Sequence, residues 1–331
     1  MKKWKLIILT GILLLTGCQS KTPVTKELFA MDTYMTMTAY GKDAEKALDQ
    51  AAAEIRRLDQ LWSVGQEKSE VSQINQSGSG PVSPETGELM DLSLSLYEAT
   101  DGALDITIYP VMDLWGFTGK DRKVPSDEEL EQTLAKVDAS RIRYDGQTVT
   151  LEEGQGIDFG AVAKGYTSGR VMEVLAENGV TGALISLGGN VQCMGTKPDG
   201  SLWRVGIQKP DGGEGYLGVL TLTDKAVITS GGYERYFEEN GKTYHHIIDP
   251  STGFPADSGL TSVTIVSEEG ALADGLSTAC FVMGKDKAYE LWKKSPDRFD
   301  MILLTEEGEL YITAPLQGMF TSDMEFSVLE E

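Results

Sequence analysis

Predicted strands follow one another in the second half of this sequence instead of alternating one by one with helices. From Arg141 onward, segments of alternating apolar residues are separated by hairpin turns at Asp145-Gly146, Asn240-Gly241 and Glu307-Gly308. Strict alternation of strand and helix would predict a parallel α/β sheet, whereas grouped strands predict an α+β fold. We therefore expect mixed sheets with flanking helices.

Helices are predicted mainly in the first half and near the C-terminal end. Apolar residues recur every three or four positions over 44–58, Ser83-Pro84 begins a second helix that reaches Thr100, and Ser126 with Glu129 forms a capping box for a third. Further helices are predicted over 162–177, 271–283 and 286–294. Strands are predicted over 35–40, 183–187, 203–208, 217–222, 227–229, 262–266, 301–304 and 310–313.

The first 18 residues have the pattern of a lipoprotein signal. Three lysines precede an apolar run over 6–15 that is too short to span a bilayer, and a Leu-Thr-Gly-Cys motif ends at Cys18. We predict a signal peptide over 1–17, a lipid on Cys18, a tether over 18–27 and a single domain over 28–331. Lipidation would hold the domain at the cell membrane, on its extracytoplasmic face. The alternative is a plain signal peptide in which Cys18 is incidental.

Acidic residues outnumber basic ones, with 51 Asp and Glu against 29 Lys and Arg and a formal net charge of −22. Cleavage before Cys18 would remove three lysines and make the charge −25. Nucleic-acid binding needs clustered Lys and Arg, so we expect no nucleic-acid partner. An anionic substrate would need a bound divalent cation to offset this charge.

Histidine and cysteine counts limit the metal sites that the chain can build. It has two histidines, His245 and His246, so a site made of several histidines is excluded. Besides Cys18, the cysteines are Cys193 and Cys280, which lie in apolar runs and are expected to be small buried residues. A metal ion would therefore be bound by oxygen, as magnesium and calcium are.

Common nucleotide-binding and hydrolase motifs are incomplete or absent. Gly213–Gly218 has the spacing of a dinucleotide fingerprint, but it leads into a predicted strand, which indicates a hairpin loop. Gly241-Lys242-Thr243 lacks the first glycine of a P-loop, and the sequence contains no Gly-x-Ser-x-Gly motif. These patterns argue against the common nucleotide-binding folds.

A candidate cation site lies on the predicted helix over 271–283. Asp274 and Thr278 are four residues apart, so their oxygens project from the same helix face and can hold a hard cation. The alternative is that Asp274 only stabilises the positive end of the helix.

A candidate general base lies in the segment His246–Gly253. A histidine that titrates near neutral pH is the usual base, and Asp249 could orient its ring. The alternative places His245 and His246 on opposite faces of a strand, one solvated and one packed, with Asp249 serving the turn.

Two further segments suit an anion and a planar ring. Ile157–Gly165 joins a strand end to a helix start, where free backbone amides and Lys164 would receive an anion, unless Asp158 and Lys164 are only a cap and a solvated charge. The segments 101–107 and 113–117 contain small, acidic and aromatic residues that can receive a planar ring system. Trp115 and Phe117 are alternatively core residues.

Taken together, these segments resemble the ApbE family of bacterial flavin transferases. The resemblance runs from Met31 to about Gly284, and its elements occur in the family's order. They are Met31-Asp32-Thr33, Gly102–Thr107, Leu114–Phe117, Asp158–Gly165, Leu187–Asn190, Trp203–Pro210, Thr229-Ser230-Gly231, His246–Gly253 and Ala273–Thr278. The resemblance implies an ApbE-like, T-fold-like α+β architecture.

The resemblance also assigns expected roles to individual residues. Positions that hold FAD are matched by Met31, Ala103, Leu104, Asp105, Asp158, Lys164 and the backbone at Ile248. The magnesium site is matched by the Ala161 carbonyl, Asp274 and Thr278, with Ser277 as a further candidate, and the base is matched by His246.

Three positions depart from the family pattern. Asp32 stands where the family often has Gly, Gly169 where an Asp is usual, and Ala161 in a segment that varies. The first departure is expected to alter the edge of the flavin pocket.

The resemblance implies magnesium-dependent transfer of FMN from FAD to a threonine hydroxyl of an acceptor flavoprotein, with a phosphoester product and release of AMP. The expected acceptors are subunits of membrane electron-transfer complexes or extracellular reductases. Two alternatives are a magnesium-dependent FAD pyrophosphatase, which uses water in place of the acceptor, and a non-catalytic flavin-binding lipoprotein.

Overall fold

The fold combines one large mixed sheet with helices, as seen in a computed structural model that describes residues 22–119 and 121–330. The α-helices in these ranges are α1 (Ala44–Trp62), α2 (Glu70–Ser77), α3 (Pro84–Ala99), α4 (Tyr109–Trp115), α5 (Asp127–Leu134), α6 (Ala163–Glu177), α7 (Gly270–Met283) and α8 (Lys285–Lys294). The strands are β1 (Val24–Ala30), β2 (Thr33–Tyr40), β3 (Ser79–Pro81), β4 (Arg143–Tyr144), β5 (Thr148–Thr150), β6 (Gly182–Leu187), β7 (Asn190–Gly195), β8 (Trp203–Gln208), β9 (Tyr216–Leu222), β10 (Ala226–Gly231), β11 (Tyr236–Glu239), β12 (Lys242–His245), β13 (Leu260–Ser267), β14 (Asp300–Thr305), β15 (Leu310–Thr313), β16 (Phe320–Thr321) and β17 (Phe326–Leu329).

The large sheet has nine strands in the order β1-β2-β6-β7-β10-β13-β14-β15-β17. Its neighbouring strands are antiparallel except β15 and β17, which are parallel. Three small sheets have the orders β16-β9-β8, β3-β5-β4 and β11-β12. Because helices cover only part of this mostly antiparallel arrangement, the α+β prediction is confirmed.

Both faces of the large sheet are packed over most of its width. On one face, α1 and α6 cover β1, β2 and β6 through small and aliphatic side chains such as Ala51 and Ile185, and α7 packs on β10 and β13. On the other face, the sheet of β8, β9 and β16 covers the strands from β7 to β15, with Trp203 and Leu220 in the shared core. Two core layers therefore enclose the central strands.

Several local predictions are confirmed. The three predicted hairpins form β4–β5, β11–β12 and β14–β15. The Ser126 and Glu129 capping box begins α5, and the Gly213–Gly218 segment lies in the β8–β9 hairpin. Cys193 and Cys280 are buried free thiols. The helices α2 and α4 were not predicted.

The predicted end of the tether is wrong by four residues. Val24–Glu27 belong to β1, which is paired with β2 along its whole length, and Leu28 and Ala30 face the core. Polar residues on the outer face of this edge strand give it the composition of a linker. Cys18 and the signal peptide lie outside the described residues. Among those residues, no helix has the length and hydropathy to cross a membrane.

Candidate active site

A cavity of about 720 Å³ lies at the end of the large sheet where β1 turns into β2. Its lining comes from the β1–β2 turn, the end of α1, the segment after α3, α4 and the residues after it, and the segment before α6 with the start of that helix. The β6–β7 turn, the end of β8, the end of β10 and the segment after it, the segment after β12, and α7 complete the lining. It includes eleven predicted site residues: Met31, Ala103, Leu104, Asp105, Asp158, Ala161, Lys164, His246, Ile248, Asp274 and Thr278. Asp249 and Ser277 are not part of it.

The segment before α6 carries Asp158 to the cavity, and the first turn of α6 carries Lys164. Phe159 between them is fully buried, the Asp158 carboxylate accepts the Gly160 N–H at 2.9 Å, and Lys164 Nζ donates to the Gly160 carbonyl at 3.4 Å. Burial raises the pKa of Asp158, while the charges of Arg235 and Lys164 oppose this rise. A helix N-terminus beside a lysine is a favourable place for an anion.

A close contact between α6 and α7 positions Asp274. The Gly165 N–H donates to Asp274 Oδ2 at 2.8 Å. A Cβ at Gly165 would lie 2.2 Å from the Gly270 carbonyl oxygen and 2.6 Å from the Asp274 Cβ, so only glycine fits. Burial raises the pKa of Asp274, and Lys164 and the Asn190 amide oppose this rise. The helix contact thus fixes a buried carboxylate next to the positive charge of Lys164.

Residues with oxygen donors suited to a hard cation line this cavity. Asp274 and Thr278 line it from successive turns of α7, and Ala161 lines it from the segment before α6. A carboxylate, a hydroxyl and a backbone carbonyl are donors that Mg²⁺ accepts. The residues present therefore fit a magnesium site.

Ser277 does not belong to this donor set. It is fully buried, and its Oγ donates to the Asp274 carbonyl oxygen at 2.8 Å and lies 2.8 Å from Ser230 Oγ. Its hydroxyl is therefore used inside α7 and against β10. These contacts do not support the prediction that Ser277 is a metal ligand.

The hydrogen bonds of His246 leave one ring nitrogen available as a base. Its backbone N–H donates to the Arg235 carbonyl at 3.0 Å, and its Nδ1 lies 3.2 Å from the same oxygen. A carbonyl oxygen can only accept, so Nδ1 carries the proton and Nε2 has a free lone pair. Burial lowers the pKa of His246 to about 3, with further contributions from Arg235 and Lys164. The ring is therefore neutral at physiological pH.

Asp249 does not orient the His246 ring. Its carboxylate accepts from the Ser251 N–H at 2.8 Å and from the Ser251 hydroxyl at 2.7 Å, and its carbonyl accepts from the Gly253 N–H. Asp249 thus stabilises the turn, as in the alternative weighed above. The Arg235 carbonyl, which was not predicted from the sequence, occupies the position next to His246 Nδ1.

Glu234 and Arg235, two charged residues after β10, were not predicted from the sequence. Arg235 and Lys164 are the only Lys or Arg side chains among the described residues that line the cavity, and Arg235 also donates to the Phe117 carbonyl at 3.1 Å. Desolvation at the cavity wall raises the pKa of Glu234 to about 7, although the residue also has an exposed surface. The charges of Lys164 and Arg235 oppose this rise and that of Asp274 reinforces it. The only indication of Arg235 in the sequence is that this acidic chain has few Lys and Arg residues that could bind an anionic substrate.

Apolar and aromatic side chains form another part of the cavity wall. They include Met31, Trp62, Leu104, Met112 and Phe117. Such a surface can receive a planar ring system. Trp115 instead is a core residue, because it is fully buried and its indole N–H donates to the Gly253 carbonyl at 2.8 Å.

The Asp105 carboxylate holds the cavity wall together. One oxygen accepts from the Thr107 N–H at 2.7 Å and from the Thr107 hydroxyl at 2.6 Å, and the other accepts from the Ala139 N–H at 3.1 Å. Burial raises its pKa, while these hydrogen bonds oppose the rise. Asp105 therefore lines the cavity with a carboxylate that is already engaged within the protein.

The sequence between the cavity hairpin and β14 carries the signature of a known family. A sequence model described as the ApbE family matches residues 31–303. This chain belongs to the ApbE family. The match begins at Met31 in the cavity wall and includes every cavity segment, so the family prediction made from the sequence is confirmed.

Curated relatives and solved structures of ApbE proteins agree with this assignment. An FAD:protein FMN transferase of Haemophilus influenzae is 30% identical over 322 residues, covering 92% of this chain and 93% of that protein. One from Klebsiella pneumoniae is 33% identical over 276 residues, covering 81% and 84%. The crystal structure of the ApbE protein from Thermotoga maritima superimposes with a TM-score of 0.84 at 32% identity, covering 90% and 99%. Flavin transferase ApbE from Vibrio cholerae gives 0.81 at 26%, covering 90% and 100%.

Asp32 and Gly169, two of the three positions that depart from the family pattern, lie in different surroundings. Asp32 lines the cavity in the β1–β2 turn with a φ of 56°, a left-handed conformation that costs Gly little and that Asp tolerates. Gly169 lies in α6, and no neighbouring atom is within 4 Å of the point that a Cβ would occupy there. Asp32 therefore adds a negative charge to this ApbE cavity, whereas Gly169 leaves an open position on the helix.

Two glycines of α6 provide a matched prediction. We expect Gly165→Ala to lower the free energy of unfolding by about 1–3 kcal/mol, because the methyl group would overlap Gly270 and Asp274. Gly169→Ala has open space and should raise it by about 0.5–1 kcal/mol. Urea unfolding of both variants measures the difference. Equal effects would contradict the close α6–α7 contact.

Proposed function

We propose that this chain transfers FMN from FAD to a threonine hydroxyl of an acceptor protein and releases AMP. The observation that carries the proposal is the convergence of a neutral His246, an oxygen donor set on α7 and two cationic side chains on one cavity. Curated relatives about 30% identical over most of the chain are FAD:protein FMN transferases. The chain is accordingly a transferase that uses FAD as its flavin donor.

The cavity suggests how FAD would be oriented. The apolar wall with Phe117 and Leu104 suits the isoalloxazine ring, and the helix N-terminus with Lys164 suits the diphosphate. Arg235 adds a second positive charge on the same cavity. Asp274, Thr278 and the Ala161 carbonyl would hold Mg²⁺, which when bound supplies positive charge for the diphosphate and the leaving AMP.

His246 would act on the acceptor hydroxyl. Its Nε2 takes the proton of the threonine, the threonine oxygen bonds to the phosphorus of the FMN half, and the bond from that phosphorus to the bridging oxygen of AMP breaks. The product is a phosphoester-linked flavin. The negative diphosphate would offset the charges of Lys164 and Arg235, two causes of the low pKa of His246, so substrate binding makes the ring a stronger base.

One incubation distinguishes the possible activities. The purified protein is mixed with FAD, Mg²⁺ and a threonine-containing domain from a flavoprotein subunit of a membrane electron-transfer complex of the same organism. We expect flavin fluorescence on the acceptor band of a denaturing gel and one AMP per flavin transferred. Free FMN and AMP without a fluorescent band would indicate a pyrophosphatase, and a stable FAD complex without AMP would indicate a carrier.

Glu234 predicts a pH dependence of FAD binding. Its pKa of about 7 means that it is neutral at pH 6 and ionised at pH 8, where it would repel the diphosphate. In EDTA, FAD affinity should fall about two- to tenfold between these pH values. Glu234→Gln should remove most of the fall. Fluorescence titration measures both proteins, and an unchanged pH dependence in the variant would contradict the role of Glu234.

We further propose attachment to the cell membrane through a lipid on Cys18, on the extracytoplasmic face. The support is the lysine-rich, apolar and Leu-Thr-Gly-Cys pattern at the start of the sequence. This location suits acceptors in membrane electron-transfer complexes or among extracellular reductases.

Cys18→Ala tests the anchor. We expect the variant to leave the membrane fraction, because the chain would lose its site for lipid attachment. Fractionation with immunoblotting measures the distribution, and Cys193→Ala, a buried thiol, is the matched control. Unchanged membrane association of the Cys18 variant would rule out the anchor.

A further inference from the structure

Three aromatic side chains are the most exposed large hydrophobic residues in the described part of the chain. The exposed fractions are 70% for Phe29, 62% for Tyr216 and 56% for Tyr34. Large aromatic side chains are enriched at the centres of protein interfaces and depleted on free surface. We refer to Phe29, Tyr34 and Tyr216 as the aromatic rim.

The aromatic rim lies beside the cavity. Phe29 and Tyr34 are opposite each other in the β1–β2 ladder, and the turn that joins their strands lines the cavity. Tyr216 begins β9 and is paired with Gln208, the last residue of β8, which also lines the cavity. Each exposed aromatic residue is therefore within a few residues, along the chain or across a ladder, of the cavity lining.

In the described part of the chain, no helix or strand covers the outer face of the large sheet at Phe29 and Tyr34. The outer face from β7 to β15 is packed against β8, β9 and β16, and this cover reaches β2 at Tyr40, whose ring lies 6.1 Å from that of Trp203. Tyr40 is at the end of β2 away from the turn. In the described ranges, no strand pairs with the second edge of β1. The outer face of β1 is polar except for Phe29 at the end beside the turn. An edge strand that exposes an aromatic side chain can receive an extended segment of another protein.

The proposed function requires a protein at this place. The reacting hydroxyl belongs to an acceptor side chain that must reach His246 inside the cavity, so the acceptor backbone must rest on the surface around the opening.

We propose that the aromatic rim is the docking surface for the acceptor protein. The occupant is an extended segment of the acceptor that carries an apolar side chain close to the accepting threonine. The apolar side chain packs on Phe29 and Tyr34, and the threonine enters next to the β1–β2 turn. This inference rests on the proposed transfer of FMN to a protein.

Direct binding tests the surface separately from the chemistry. The acceptor domain is prepared with its threonine replaced by alanine, so that it can bind without reacting, and is titrated against the FAD-loaded enzyme. The variants are Phe29→Ser with Tyr34→Ser, and Tyr216→Ser. Leu202→Ser is the control, because Leu202 is 40% exposed and precedes the end of β8 that is away from Gln208.

We expect the double variant to bind the acceptor domain at least tenfold more weakly, and Tyr216→Ser about threefold or more, since buried aromatic residues dominate interface affinity. The affinity of these variants for FAD should be unchanged, and Leu202→Ser should bind the acceptor domain as tightly as the wild type. In transfer assays, KM for the acceptor should rise while kcat stays within about twofold. These results together support the docking surface.

Other results would overturn it. Unchanged acceptor binding by the double variant refutes the proposal. So does a change that is limited to vesicle binding, which would assign the rim to a membrane surface. A change limited to self-association in sedimentation would assign it to a second copy of the chain and also refutes the proposal. Wild-type enzyme that binds the acceptor at the rim but never transfers flavin refutes the proposed function alone. Wild-type enzyme that neither binds nor modifies the domain refutes both.

Discussion

Replacing His246 with alanine should slow flavin transfer by about two to four orders of magnitude. The Nδ1 of His246 is hydrogen-bonded to the Arg235 carbonyl, so its Nε2 is free to accept a proton in the cavity. The variant would lose this base. Water would then have to accept the proton of the threonine. The rate of formation of the fluorescent acceptor, measured at saturating FAD and acceptor, reports this step, and FAD affinity should change little.

His245→Ala is the matched control for this measurement. His245 is the neighbouring histidine, but its Nε2 lies 3.1 Å from the Ala256 carbonyl, its ring packs edge-on against Phe281, and it does not line the cavity. Its removal should lower stability while the rate in the folded protein stays within a few fold. If the rate of flavin transfer falls only a few fold in His246→Ala, this histidine packs in the cavity wall and is not the base.

Asp274→Asn should reduce turnover by about a thousandfold or more and abolish its dependence on Mg²⁺. Asparagine keeps an oxygen that can accept the Gly165 N–H, so the α6–α7 contact survives, but it removes the negative charge that attracts a cation. Titration calorimetry with Mg²⁺ and AMP release with and without EDTA measure the two effects. Wild-type activity that persists in EDTA would contradict the metal site.

The neighbouring residues on α7 provide the contrast. Thr278→Val removes a hydroxyl that lines the cavity and should weaken Mg²⁺ binding. Ser277→Ala removes a hydroxyl that donates inside the helix, so it should cost about 1 kcal/mol of stability without a change in Mg²⁺ affinity. An equal loss of Mg²⁺ affinity in both variants would restore Ser277 to the ligand set.

Local signals in the sequence predicted the elements that local interactions stabilise. The Ser126 and Glu129 capping box and the Asp145-Gly146 turn each satisfy their hydrogen bonds within a few residues, so both could be predicted without knowledge of the fold. β1 lacks such a signal. Its outer face is polar and its partner strand supplies the hydrogen bonds, so its residues have the composition of a linker.

Cavity residues were predicted where motif and geometry coincide, and missed where tertiary contacts decide. Asp274 and Thr278 are one helical turn apart, so helix periodicity alone brings both to the cavity. Asp249 follows His246 by three residues, but the turn directs its carboxylate to Ser251. Arg235 is placed partly by its hydrogen bond to the Phe117 carbonyl, 118 residues away along the chain, which no local pattern reports.

If the proposed lipid anchor is present, the early start of β1 limits how far the cavity can be from the membrane. If Cys18 carries a lipid, the five residues between it and Val24 extend over at most about 20 Å, and the seven residues of β1 add about 23 Å. The opening beside Met31 then operates within roughly 45 Å of the bilayer surface. An acceptor would then be modified only if its threonine lies within this distance of the bilayer surface. The height of the threonine above the membrane would therefore help to determine which proteins serve as acceptors.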